Sequence, residues 1–158
     1  MQPHSLKKQW VYTRRGFTLI ELLVVVAILG ILMTTTLIAI NPIRQIKQAK
    51  DTRRKSDVIA LLNAVQQYTT DHGGSLPIVV PATATEISKV GVDLCAALAP
   101  TYVAGLPIDP VLGGGIVRAS ECTTSYATGY TISKNPTENQ VTIAAPNAES
   151  GDPISFTR

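Results

Sequence analysis

Glu21 is the only charge in a long apolar run that begins Phe17-Thr18-Leu19-Ile20-Glu21-Leu22-Leu23-Val24-Val25-Val26-Ala27-Ile28-Leu29-Gly30. A carboxylate at the centre of a membrane-spanning helix costs about 2.5–3.5 kcal/mol, so its presence calls for a compensating partner. Its place in the first turns also lets it reach the membrane interface, where it suits the positive end of the helix dipole. Cys95 and Cys122 are the only thiols, and they read either as one disulfide or as two reduced core residues. Asp109, in Gly105-Leu106-Pro107-Ile108-Asp109-Pro110, can hold a turn by accepting from backbone amides. His72 stands alone beside Gly73 and Gly74 and reads as a solvated helix end. There is no nucleophile–base pair, phosphate loop, CxxC pair or metal-ligand constellation. The chain therefore does not read as an enzyme, and the residues by themselves call for no cofactor.

Charge and composition narrow the classes further. The 158 residues carry a net charge of +3. Four of the fourteen Lys and Arg, namely Lys7, Lys8, Arg14 and Arg15, lie in residues 1–16, which hold no acid. Ten remain against eleven Asp and Glu, a balance of −1. The basic character belongs to the leader, so it is poor support for a nucleic-acid partner. No sequon for N-glycosylation has an allowed middle residue, while the Ser/Thr cluster at 120–128 leaves O-glycosylation open.

The elements that must position these residues follow from hydropathy. Phe17 to Ile40 would form a helix of about 36 Å, enough for a hydrocarbon core of about 30 Å. It is longer than a secretory signal's apolar region and no A-x-A-like cut site follows, so it reads as retained. Basic residues flank both ends, and Asp51 and Asp57 dilute the second cluster, which favours a cytoplasmic leader. Beyond Pro42, the residues Ile43, Ile46, Val58, Leu61, Leu62, Val65 and Tyr68 recur at helical spacing around a polar Lys47–Asp57 stretch. A near-continuous helix from Thr18 to Asp71 is expected, bent at Pro42 and stopped by Gly73 and Gly74. The basic cluster at 44–55 reads as a solvated face, or as a contact for anionic lipid or for an acidic surface of another subunit.

After Gly74 a small head is expected. Residues 77–85 read as a loop and 92–98 as a short helix. Residues 126–133 and 140–145 read as strands around a 134–139 turn, with 116–118 as a third strand. The sheet should pack on Val58, Leu61, Leu62, Val65 and Tyr68, giving an α+β fold.

Arg14-Arg15-Gly16-Phe17-Thr18-Leu19-Ile20-Glu21 and the apolar run after it resemble the class III signal of type IV pilins and type II secretion pseudopilins. The resemblance implies that a prepilin peptidase cuts between Gly16 and Phe17, and that the new amino group of Phe17 is N-methylated. The segments would then be a cleaved leader at 1–16, a transmembrane and assembly helix at 17–40, an amphipathic helix at 41–74 and a globular head at 75–158. In this pilin fold the subunit polymerises through its N-terminal helix into a helical homopolymer. Glu21 of one subunit would meet the Phe17 amine of the next, and removing one partner of such a buried pair costs about 3–5 kcal/mol. The head-to-tail contact is heterologous and does not close on itself. Implied partners are the peptidase, an inner-membrane platform protein, an assembly ATPase acting indirectly, and the membrane before assembly.

Gly105–Pro110 is similar to the Leu-Pro-x-Asp-Pro element of major pseudopilins and related bacterial pilins, and some pseudopilins hold calcium in their heads. Asp109 is thus a candidate calcium ligand as well as a turn residue. The sequence departs from the family at Ile38, where members often have proline, which leaves Gly30 and Pro42 as the candidate bend sites. It also lacks an aromatic residue after Asp109-Pro110. An exported domain with two cysteines favours the Cys95–Cys122 disulfide, closing a loop of about 28 residues and contributing about 3–4 kcal/mol. The first expectation is a type IV pilus subunit, inserted as a single-pass precursor and then displayed in a surface filament. The rivals are a major pseudopilin and, from another class, a single-pass anchored adhesin or DNA-uptake receptor.

Overall fold

The computed structural model describes residues 16–158, apart from the side chains of residues 38–40. Lys7, Lys8, Arg14 and Arg15 lie outside the described residues. The chain divides into two compact units, Met1–Asn41 and Pro42–Arg158.

The first unit is built on helix α1, Leu19–Ile40. Thr18 caps it in an extended conformation, and every described side chain along it is exposed. Leu19–Leu37 is long and apolar enough to cross a membrane. The helix stays regular through Gly30. Thr34 donates its hydroxyl to the Gly30 carbonyl at 2.9 Å, Thr35 to Leu32 at 2.9 Å and Thr36 to Met33 at 2.8 Å. The three hydroxyls are thus satisfied on their own helix, which makes them tolerable in an apolar medium.

The expected near-continuous helix is interrupted. Asn41 adopts a left-handed conformation, φ 45 and ψ 74, and helix α2 begins at Pro42 and runs to Asp71. The reason is local. Proline disfavours the helical conformation in the residue before it. Asparagine tolerates the left-handed region better than most residues. Proline is well suited to the first position of the new helix.

The second unit is α+β, as expected. Strands β1 (Thr85–Ser88), β4 (Ala127–Lys134), β5 (Val141–Ala145) and β6 (Ile154–Thr157) form an antiparallel sheet in the order β1-β4-β5-β6. Strands β2 (Gly105–Pro107) and β3 (Ile116–Arg118) form a separate antiparallel pair, with Leu106 opposite Val117. Helix α3 is short, Cys95–Leu98. α2 packs on β5, β6 and α3. Val58, Leu61, Leu62, Ala64 and Val65 of α2 meet Tyr130 and Ile132 of β4 and Ile143 of β5 in one buried core. Ile132 lies opposite Ile143 across the ladder. Along β5, buried Val141, Ile143 and Ala145 alternate with half-buried Thr142 and Ala144, the period-2 signature of a sheet with one face on a helix.

Strands β3, β4 and β5 fall where the sequence places them, while β1, β2 and β6 were not anticipated. Each missed strand has three or four residues, too short to establish a period, and β2 ends in proline. Their ladder partners, and not their own patterns, hold them in place.

The Cys95–Cys122 disulfide joins the start of α3 to the chain just after β3, with a Cα–Cα distance of 5.3 Å and a sequence separation of 27. Replacing both cysteines by alanine is expected to cost about 3–4 kcal/mol of unfolding free energy, measured by urea titration of the full chain in detergent. An unchanged titration midpoint would show that the loop is restrained by packing alone.

Candidate functional site

Two groups of residues carry chemical potential, one in each unit. The first is at the start of α1. Gly16, Phe17 and Thr18 are non-helical, so the Gly16–Phe17 peptide bond lies outside the helix, and both residues are exposed. A side chain at Gly16 would meet nothing within 4 Å among the described residues, so packing does not explain this glycine. Thr18 and Glu21 form a reciprocal capping box. The Glu21 amide donates to Thr18 Oγ1 at 3.3 Å. The Thr18 amide donates to Glu21 Oε2 at 3.4 Å, and the Thr18 hydroxyl donates to the same oxygen at 3.2 Å. The sequence supplies this directly, as Thr-x-x-Glu before an apolar run. Glu21 therefore has a local role that sequence reasoning reduced to a dipole effect. The cap folds its carboxylate back toward the backbone of Thr18, the residue after Phe17.

The second group lies in the head. Arg54 is 0% exposed, Asp109 0% and Asp51 3%. The expectation of a solvated basic face at 44–55 is corrected at Arg54, which points into the head. Arg54 Nε donates to Asp109 Oδ2 at 2.8 Å and Nη2 to Asp109 Oδ1 at 3.0 Å, a bidentate fork. Nη1 donates to Asp51 Oδ1 at 2.7 Å, and Nη2 reaches Glu149 Oε1 at 3.4 Å. Asp51 also accepts from the Glu149 amide at 3.1 Å and from the Ser150 amide at 2.7 Å, and bonds the Ser150 hydroxyl. Lys50 donates to Glu149 at 3.3 Å from the rim.

Asp109 does hold a turn. It caps the 3-10 turn Pro110–Leu112 through the Val111 amide at 2.8 Å, and its own amide donates to Thr128 of β4 at 2.8 Å. Gly129, at φ +77, completes the fit, because a Cβ there would come within 2.9 Å of the Asp109 side chain. Calcium, which the family resemblance raised for Asp109, does not fit this arrangement, since both carboxylate oxygens are bound by Arg54. Among the described residues no group of three or more His, Cys, Asp or Glu is placed to hold a metal ion.

The network was legible only in part. Asp51 and Arg54 continue the inward register of Val58, Leu61, Leu62 and Val65 back by one and two turns. That continuation was the available signal. Their charge argued against burial, and their partners lie 55 to 99 residues away.

Burial pushes the Asp51 carboxyl up, but bonds from Ser150, the Glu149 amide and Arg54 outweigh it and hold the group at about 2. Asp109 is likewise raised by burial and brought below the ordinary value by Arg54 and the Val111 amide. Burial drives Asp57 the other way, above the ordinary value, although Tyr130 donates to it at 2.8 Å.

Residues 12–37 match the family model of the prokaryotic N-terminal methylation motif. The matched segment is similar to the class III signal of type IV pilins and pseudopilins. No curated protein and no solved structure matches the chain.

A carboxylate with a lowered folded pKa stabilises above its ordinary value and loses that contribution as pH falls through the folded value. Acid should therefore weaken the head between pH 3.8 and about 2, the ordinary and folded values for Asp51. Asp57 opposes this in sign, since its raised value favours the folded state as acid is added. In circular-dichroism titrations, Asp51→Asn should be less stable at neutral pH and flatter through this window. An unchanged slope would remove Asp51 from the acid response.

Proposed function

We propose that this chain is a structural subunit of a type IV pilus, cut after Gly16, N-methylated at Phe17 and polymerised through α1. The methylation motif implies processing by a prepilin peptidase and assembly into a pilus or pseudopilus. The observation that carries the reading is where the motif falls. It covers a helix whose described side chains are all exposed and apolar but for Glu21 and a few threonines. Such a surface needs lipid or copies of itself to cover it, and a filament supplies the second where the membrane supplied the first.

The exposed, non-helical Gly16–Phe17 bond supports access by the peptidase. Cutting it would release an amine at Phe17, cationic near neutral pH, one residue from the backbone that Glu21 already caps. In a filament core, Glu21 and the Phe17 amine of a neighbouring subunit would neutralise one another and set the axial stagger. The platform protein and the assembly ATPase would act on the membrane-held precursor. The signal and the apolar helix fit a membrane-anchored precursor followed by an extracellular filament. A second reading, a major pseudopilin, is favoured by the Gly105–Pro110 element, whose Asp109 is the buried partner of Arg54.

Mass spectrometry of the N-terminal peptide from sheared surface material tests the reading. A methylated chain starting at Phe17 in that fraction is the expected result. The same processed chain confined to the membrane fraction would favour the pseudopilin. An uncut leader would leave an anchored adhesin or receptor. Glu21→Ala should abolish filaments while the precursor still inserts, as seen by electron microscopy and membrane fractionation; normal filaments would remove Glu21 from assembly.

A further inference from the structure

We propose that the Arg54 guanidinium is a tethered internal cation that locks two loops of the head, 108–115 and 146–153, so that the fold of the head needs no divalent metal. Three carboxylates converge on Arg54 from three separate segments: Asp51 on α2, Asp109 between β2 and β3, and Glu149 between β5 and β6. A cluster that draws together chain segments so far apart in sequence is the kind a bound cation often organises. Here the charge comes from the chain itself.

The fit is specific to a guanidinium. Its planar fork places Nε and Nη2 on the two oxygens of Asp109 while Nη1 reaches Asp51. The remaining capacity is taken by the loops themselves. The Val111 amide occupies Asp109, and the Glu149 and Ser150 amides occupy Asp51. Among the described residues, no buried side-chain nitrogen or oxygen lacks a partner. A calcium ion takes six to eight oxygen ligands. To enter, it would have to displace these donors and sit beside an uncompensated positive charge. Folding of the head is therefore not linked to free calcium, because an ion stabilises a fold only by binding the folded state better than the unfolded chain. A chelator cannot extract a cation that is part of the chain.

The test uses the full chain in detergent, melted and digested with a nonspecific protease in excess EGTA and in millimolar calcium. The wild type is expected to give the same melting temperature and the same cleavage rate within 146–153 in both. Arg54→Gln, which keeps polarity and much of the length without the charge, is expected to melt lower, with cleavage in that loop faster by about tenfold or more. Glu149→Gln is a milder variant, since Glu149 is only half-buried; it should loosen the same loop equally with and without calcium. A calcium-induced rise in the wild-type melting temperature would overturn the proposal. So would unchanged cleavage in both variants, or protection of the Glu149→Gln loop by calcium. If Arg54→Gln fails to fold, the wild-type and Glu149→Gln comparisons still decide the question.

Discussion

A guanidinium with no access to water organises the head. Burying one charge costs several kcal/mol unless every donor finds an acceptor, so the pairing constrains everything around it. Arg54 meets the condition only if α2, the 108–115 segment and the 146–153 segment arrive together. Asp109 transmits the constraint furthest, since it bonds Arg54, caps the turn after β2 and ties its own amide to β4. Gly129 is glycine because this approach leaves no room for a Cβ. The apolar core from Val58 to Val65 supplies the larger share of burial. The ionic network selects which loops sit over it, because a misplaced loop would leave a buried charge unpaired.

The two units answer to different solvents. The head buries an apolar core between α2 and a four-stranded sheet. Helix α1 does the reverse, presenting Leu, Ile and Val on all sides and bonding its threonine hydroxyls inward to its own carbonyls. Such a helix is stable in hydrocarbon or among copies of itself, and costly in water. Asn41 and Pro42 mark the change, where one helical ladder ends and the next begins. Glu21 belongs to both regimes. In the single subunit it caps its helix, and in the proposed filament it neutralises an amine that exists only after cleavage.

Legibility followed the range of the interactions. The capping box at Thr18 and Glu21 spans three residues and could be read from their types. The apolar run, and β4 and β5 with the turn between them, are also local patterns, whereas Pro42 reads as a bend in the sequence and is a break in the structure. β1, β2 and β6 were not legible, because strands of three or four residues have no period of their own; β3 is as short, and only its β-branched Ile116-Val117 pair marked it. Arg54 reads as solvent-facing from its sequence because charge is a good guide to exposure until a partner is known. The partners of Arg54 in Asp109 and Glu149 come from segments brought close by the sheet.

Legible from the order of residues alone were the methylation motif at 12–37, the membrane-length helix, the acid at its start and the α+β class of the head. These rest on contacts between near neighbours and on the length of an apolar run, both of which are written in order along the chain. The burial of Arg54, its pairing with Asp109 and the segments that complete the sheet emerge only in the folded chain. Those outcomes depend on pairing groups far apart in sequence, and the cost of an unpaired charge or an open strand edge is incurred only once the chain has folded.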